Sequence, residues 1–281
     1  MSEPTVMRTK VDLSGLMAVL GEHLYSTPTV ALRELVQNAH DSCHRRLLES
    51  AVSFEPHIEV RGDSTRRTLS IEDNGAGLTR EEIEKYLATV GSGYTRTLRD
   101  SGNGEDLIGY FGLGFLSAFI VAERTEVHTC SYQSPGQAWM FSSRSGQSYT
   151  IGPAESRPVG TRVTLYLSDK FATLADVETL RTVLERYCCL LEFPVHCGGE
   201  AVNGQPPPWR DSAERSSLRR RKLALTFAER FEHRFTPLFT MQLATERDGD
   251  PCRGLLWVQD GATYGTSDNR NVWVFVRGMM V

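Results

Sequence analysis

A long glycine-punctuated connection between Gly75 and Gly109 divides the sequence into two blocks of predicted secondary structure. Connections of this length are uncommon inside compact domains and are usually functional, and this one contains a single helical stretch at Glu81–Val90. Apolar periodicity and turn residues predict further helices at 13–25, 29–48, 115–122 and 175–191, and strands at 57–61, 67–73, 125–132, 138–142, 148–151 and 162–167. Helices grouped apart from a run of strands indicate an α+β fold, a two-layer α/β sandwich, instead of a parallel βαβ array.

A change in composition near Asn203–Arg221 indicates a domain boundary. Prolines and arginines are concentrated there, which is typical of a linker or long loop. We expect an amino-terminal domain at 1–205 with a lid near 78–109, a linker or loop at 206–221, and at 222–281 the truncated start of a second α/β domain with strands at 254–259 and 272–276. Because this second unit ends on an apolar strand without a closing helix, we expect the chain to be a fragment of a longer protein.

Composition limits the classes of function. A net charge of -4 gives the chain no general attraction for nucleic acid or an anionic membrane, although a local basic pocket stays possible. The amino terminus lacks the apolar core of a signal peptide, and no apolar run is long enough to span a bilayer, so we expect a cytoplasmic protein. The six cysteines form no CxxC pair, which favours reduced, mostly buried thiols over metal ligands.

Three polar residues lie on one stripe of the predicted helix at 29–48. Glu34, Asn38 and Asp41 are spaced at i, i+4 and i+7, and an apolar set lies on roughly the opposite face: Leu32, Leu35, Val36, Ala39 and Cys43. The spacing is equally that of a plain amphipathic helix with a solvated face. An asparagine between two carboxylates also suits a metal–phosphate site, since its side-chain oxygen can bind magnesium and a nearby glutamate can polarise water.

Two further motifs flank the glycine-punctuated connection. Asp73 ends the strand at 67–73 in phase with its apolar residues, so its carboxylate is predicted to be buried and to need donors. The Asn74–Gly77 turn that follows is typical of a ligand site or of an ordinary hairpin end. The glycines of Gly109–Gly114 precede an apolar helix, where free N–H groups suit phosphate. No GxxxxGK[ST], HRD or DFG motif occurs, which excludes P-loop enzymes and protein kinases.

Taken in order, these segments resemble the ATP-binding boxes of the gyrase, heat-shock chaperone, histidine kinase and MutL (GHKL) superfamily. The similar segments are ALRELVQNAHDS (31–42), IEDNGAGLT (71–79), IGYFGLGFLSAFIVAE (108–123) and VGTRVTLYL (159–167). The sequence is most similar to the 90-kDa heat-shock chaperone family of the bacterial HtpG type, closely over the first ~200 residues. The likeness continues more loosely through 255–259 and 272–281, which resemble the start of that family's middle domain. The resemblance implies the Bergerat ATP-binding fold.

The resemblance also implies roles for residues of the predicted helix. Glu34 would be the general base for ATP hydrolysis, and Arg33 would orient it. Asn38 would bind the magnesium ion, and Asp41 would support the phosphate and ribose.

For the base and the phosphates, the resemblance implies a second group of residues. Asp73 would accept the adenine amine, Gly77 and Leu78 would lie beside the base, and Thr161 would complete this contact through water. Backbone N–H groups would hold the phosphates at Gly112, Leu113, Gly114 and Phe115.

The implied function is an ATP-dependent chaperone that uses ATP or ADP with Mg²⁺ and acts on unfolded or client proteins. The full-length protein is expected to form a homodimer. No nucleic acid and no membrane partner is expected. The alternatives are a DNA-acting ATPase of the mismatch-repair or topoisomerase type and a nucleotide switch that does not hydrolyse ATP. The sequence departs from the family in its lid, where Tyr86 and Ser92 replace a common asparagine and lysine, and Arg96 is a candidate for the missing charge.

Overall fold

A computed structural model describes residues 29–89, 114–144, 146, 148–210, 216–231, 236–247, 250–259 and 272–280. Within these ranges the chain has the α+β architecture that the sequence predicted, with helices against a mixed eight-stranded sheet. The predicted helix at 13–25 and the part of the predicted lid at 90–109, with Ser92 and Arg96, lie outside the described residues. None of the helices in the described ranges combines the length and the apolar character needed to cross a membrane.

The sheet has the strand order β5-β4-β3-β6-β2-β1-β7-β8. All neighbouring strands are antiparallel except β1 and β7, which are parallel. The strands are β1 (Ile58–Asp63), β2 (Thr68–Asp73), β3 (Ala122–Cys130), β4 (Ala138–Ser143), β5 (Tyr149–Pro153), β6 (Gly160–Leu167), β7 (Val195–Cys197) and β8 (Glu200–Ala201). The order brings the start of β6 beside the ends of β2 and β3, where the predicted base-binding residues lie.

The longest helix, α1 (Thr29–Glu49), packs on one face of the sheet. Its predicted apolar face is confirmed, because all five of its members are buried: Leu32, Leu35, Val36, Ala39 and Cys43. Strand β2 supplies the facing layer, since Leu69 and Ile71 are buried while the residues between them are partly exposed. This alternation also buries Asp73, as the sequence predicted.

The remaining helices are shorter than predicted or begin elsewhere. Helix α2 (Arg80–Tyr86) begins with a capping box, in which the Thr79 side chain and Glu82 satisfy each other's backbone N–H groups. The predicted helix at 115–122 is instead a 3₁₀ turn, Gly114–Ser117, followed by the short α3 (Ala118–Val121), because β3 begins at Ala122. Helix α4 (Val177–Cys188) follows a 3₁₀ segment at Asp169–Ala175 and is capped by Asp176.

A buried arginine joins α1 to the start of α2. The Arg45 side chain is 6% exposed, donates from Nε to Glu49 Oε2 over 2.9 Å, and donates from Nη2 to Glu82 Oε1. Glu82 also accepts the Thr79 N–H at 2.9 Å, and the Tyr132 hydroxyl donates to Glu49 Oε2 at 2.8 Å. The first residues of the predicted lid are therefore held to α1 by charge-assisted hydrogen bonds.

The carboxy-terminal third differs most from the sequence prediction. Residues 217–221, predicted as linker or loop, begin helix α5 (Ser217–Glu229). The predicted strand at 254–259 is the end of β10 (Asp250–Gln259), which pairs with a strand that the sequence did not predict, β9 (Pro237–Arg247). Two short strands follow, β11 (Phe275–Val276) and β12 (Met279–Met280). The predicted domain boundaries stay predictions.

All six cysteines are free thiols, and five of them are buried, with Cys252 exposed. This confirms the prediction of structural thiols.

The hairpin of β11 and β12 packs on the core of the sheet domain. Met279 is 2% exposed and belongs to the same apolar cluster as α1 and α4. Its sulfur lies 3.9 Å from Cys188 Sγ. Residues far apart in sequence therefore close the core on the α4 side.

We expect Met279→Ala to lower the free energy of unfolding by about 2–4 kcal/mol, because it empties a buried site. Val276→Ala, in the same hairpin at a side chain that is 50% exposed, is the matched control and should cost less than about 0.5 kcal/mol. Urea unfolding followed by circular dichroism measures both. Equal stability of the two variants would contradict the packing of this hairpin on the core.

Candidate functional site

The buried carboxylate of Asp73 is the centre of the candidate site. It lies at the end of β2 and is 6% exposed. Its Oδ1 accepts hydrogen bonds from Ser42 Oγ at 3.0 Å and from the Gly75 backbone N–H at 2.8 Å. The α1 helix and the turn after β2 therefore meet at this one oxygen, and a buried acceptor obtains the donors that it needs.

Burial raises the pKa of Asp73 to about 7, because a buried carboxylate loses its hydration. The donors from Gly75 and Ser42, the nearby charge of Arg157 and the Thr161 backbone N–H favour the ionised form and reduce this rise. Above this pKa the Asp73 carboxyl is ionised and accepts hydrogen bonds. Any further donor that a ligand brings stabilises this ionised form.

Two threonines form a buried polar pair beside Asp73. Thr161 is the partner of Asp73 in the β2–β6 register, and its hydroxyl lies 2.9 Å from that of Thr129 on β3. The Thr129 hydroxyl also accepts the Leu78 N–H at 2.9 Å. The sequence prediction missed Thr129. The period of β3 could have found it, because Thr129 is in phase with the buried Val127.

The predicted site glycine Gly77 is required by the protein backbone itself. It has a φ of +63°, and a Cβ atom there would lie 2.0 Å from the carbonyl oxygen of Cys130. The neighbouring Gly75 likewise leaves no room for a side chain, since a Cβ would lie 2.4 Å from Ser42. Gly75 lets the chain pass close to α1, and Gly77 lets it pass close to β3. The sequence had predicted that these glycines allow close approach to a ligand instead.

The second part of the site is the polar stripe of α1. Glu34 Oε1 lies 3.4 Å from Arg33 Nη2, and both side chains are about one-quarter exposed, at 23% and 24%. Asn38 is exposed, whereas Asp41 is 7% exposed. Glu34, Asn38 and Ser42 are spaced by four residues and so follow one line along the helix. That line runs about 12 Å, from Glu34 to the residue that binds Asp73.

The glycine-rich segment reaches this stripe at its Glu34 end. A Cβ on Gly114 would lie 2.7 Å from Glu34 Oε2, so the chain passes directly against this carboxylate. Phe115 is 8% exposed and its ring packs edge-on against Phe119 and Phe141, which leaves its backbone as the part available to a ligand. Gly112 and Leu113 lie outside the described residues.

Arg157 is a further site residue that the sequence prediction missed. Its side chain is 8% exposed and donates to Glu72 Oε1 at 2.9 Å and to the His128 carbonyl oxygen. Its charge lowers the pKa of Asp73. No local motif marks it, because the contact depends on how the strands pair.

We expect the raised pKa of Asp73 to make stability depend on pH. Between the ordinary pKa of 3.8 and about 7, the folded state holds a proton that the unfolded state has lost, so stability falls as pH rises through this window and then levels off. Relative to wild type, Asp73→Asn should therefore become more stable by about 2–3 kcal/mol between about pH 5 and about pH 8.

Denaturant unfolding at both pH values measures this difference. Asp169→Asn removes an 88% exposed carboxylate that forms a surface ion pair with Arg67, and as the control its pH profile should run parallel to that of wild type. A wild type and an Asp73→Asn variant with parallel pH profiles would contradict the raised pKa.

The chain is similar in sequence to a known protein family and to several curated proteins. Residues 25–151 match the family of histidine kinase-, DNA gyrase B-, and HSP90-like ATPases. The chaperone protein HtpG of Chlorobaculum tepidum is 30% identical over an alignment of 217 residues, and the match covers 72% of this chain and 34% of that protein. HtpG of Campylobacter jejuni is 32% identical over 202 residues, 67% of this chain and 32% of that protein.

HtpG of Roseobacter denitrificans is 31% identical over 224 residues, 74% of this chain and 36% of that protein. The chain thus spans about one-third of the length of the curated relatives that it matches. Residues 25–151 of the chain belong to the family of histidine kinase-, DNA gyrase B-, and HSP90-like ATPases, and the curated relatives of the chain are named chaperone protein HtpG.

Proposed function

We propose that this chain is the nucleotide-binding part of an ATP-dependent molecular chaperone of the HtpG type. The observation that carries the proposal is the Asp73 corner, where a buried carboxylate, a pair of threonine hydroxyls and the Leu78 N–H meet. The relatives, whose names describe chaperone proteins, support it independently.

In this proposal Asp73 recognises the adenine base. Its ionised carboxylate accepts a hydrogen bond from the exocyclic amine, and the Thr129–Thr161 pair offers hydroxyls that can hold a bridging water. Leu78 and Gly77 line the same corner. Because Asp73 is buried, a base that places an acceptor where adenine has its exocyclic amine leaves the carboxylate short of one partner, and the O6 carbonyl oxygen of guanine is disfavoured for this reason.

The phosphates belong at the other end of the α1 stripe. Asn38 offers an exposed amide oxygen of the hard type that Mg²⁺ prefers, and Asp41 supports the ribose and phosphate side. Bound magnesium would neutralise phosphate charge. We assign the remaining phosphate contacts to the backbone N–H groups at 112–115, and within this segment Gly114 lies against Glu34.

Glu34 acts as the general base, and Arg33 positions it. The 3.4 Å contact between them holds the Glu34 carboxylate beside the Gly114 backbone. From there it takes the proton of the attacking water. The cycle of binding and hydrolysis would drive conformational change on unfolded client proteins. On the resemblance alone, we propose that the full-length protein is a cytoplasmic homodimer. On the same basis we propose no nucleic-acid and no membrane partner.

We expect the chain to bind ATP and ADP with a free energy of about -4 to -8 kcal/mol in calorimetry. Asp73→Asn should weaken binding by about tenfold or more, because the amide presents a donor where the adenine amine needs an acceptor. Asp169→Asn is the matched control and should bind as wild type does. Wild-type affinity in a folded Asp73→Asn variant would remove Asp73 from the base site, and no binding by wild type would overturn the proposed function.

Glu34→Gln is expected to separate binding from hydrolysis. ATP affinity should be retained while turnover falls by about 10²–10⁴-fold, since the amide cannot accept the proton of the attacking water. Glu123→Gln, at an exposed residue of β3, is the control. Wild-type turnover by Glu34→Gln would disprove the catalytic role. Turnover is measured in the full-length protein, and normal binding without any turnover even by the full-length wild type would instead support a nucleotide switch.

A further inference from the structure

Two histidines and a glutamate converge on the sheet face that points away from α1. They are His57, Glu59 and His196, and one possible ligand atom from each lies within 4.8 Å of the other two. None of the three belongs to the nucleotide site proposed above.

Strand geometry explains why these side chains meet. Glu59 is on β1 between Ile58 and Val60, which are both fully buried in the core on the α1 side, so Glu59 points to the opposite face. His57 is two residues before Glu59 and shares its face. His196 is the register partner of Glu59 on the parallel strand β7 and lies between two buried residues, so it points the same way.

The polar atoms of this cluster are weakly satisfied within the described part of the chain. His196 Nδ1 is buried and has no hydrogen-bond partner there, which is costly for a ring nitrogen. The Glu59 side chain is 15% exposed, and its ion-pair contacts to His57 Nε2 at 3.6 Å and Arg61 Nε at 3.7 Å are both longer than hydrogen bonds. Arg61 also contacts Glu72 at 3.7 Å, so it keeps a carboxylate partner when Glu59 binds elsewhere.

We propose that His57, Glu59 and His196 form a binding site for a divalent transition metal such as Zn²⁺. Two imidazoles and one carboxylate are a ligand set that Zn²⁺, Ni²⁺ and Cu²⁺ accept, with water in the remaining positions. Bonds of about 2.1 Å at tetrahedral angles separate ligand atoms by about 3.4 Å. Side-chain rotation must close the observed separations to that value, and His57, an exposed residue whose ring lies against that of His196 with centroids 4.6 Å apart, is the member that can rotate.

The cysteine next to this cluster is not part of the ligand set. Cys197 is buried on the other face, and its sulfur lies 3.9 Å from the Val177 carbonyl oxygen. The site should therefore show nitrogen and oxygen ligation only.

The proposal is tested on the whole chain, freed of metal with a chelator and titrated with ZnCl₂ or CoCl₂. We expect one equivalent to bind, with visible Co²⁺ absorption of a low-coordinate site and no near-ultraviolet sulfur charge-transfer band. His57→Ala and His196→Ala should each weaken Zn²⁺ binding by about tenfold or more. His128→Ala removes a histidine from β3 that contacts the Glu155 carbonyl oxygen at 2.9 Å, and this control should bind as wild type does.

His57 is exposed, so its substitution tests the site even if His196→Ala fails to fold. Wild-type affinity in a folded His57→Ala variant, a sulfur charge-transfer band, or the absence of stoichiometric binding by wild type would each overturn the proposal. Because every readout is metal binding without nucleotide, the result is independent of the proposed ATPase function.

Discussion

The hydrogen bonds that Asp73 accepts from Ser42 and Gly75 connect the parts of this domain that the candidate site depends on. One carboxylate oxygen joins the sheet, the long helix and the turn after β2. A buried carboxylate without donors would be strongly destabilising, so the turn and the helix must stay where their donors reach it. The residual cost of burial appears as the raised pKa of Asp73. A ligand that supplies a further donor recovers part of that cost, which makes this corner suited to binding.

Helix α1 serves the core and the site at once. Its apolar residues close the layer over the sheet, while Glu34, Asn38 and Ser42 repeat at every fourth position along the line that leads to Asp73. Because the core face fixes the rotation of the helix, it also fixes the direction of this polar line. A change in core packing would therefore turn Glu34 away from Gly114. Packing and chemistry are linked here through one rigid element.

Local sequence pattern was enough to predict α1, the burial of Asp73 and the strands β1 to β6 within a few residues. It missed Thr129, although the period of β3 marks that residue as buried, and it missed Arg157, whose contact with Glu72 depends on how the chain folds across the sheet. It also missed β7, a strand of three residues that is too short to show a period. Local pattern also could not predict the cluster of His57, Glu59 and His196, since it depends on the parallel register of β1 with β7.

The charged cluster of Arg45, Glu49 and Glu82 connects α1 to the start of α2. A buried guanidinium is stable only when its donors are satisfied, and here they bind Glu49 and Glu82. Glu82 also belongs to the capping box of α2, so the bond that satisfies Arg45 fixes the first turn of that helix. Leu78, which donates to Thr129, lies directly before this turn. The backbone at Leu78 is thus held from both sides, by β3 and by α1.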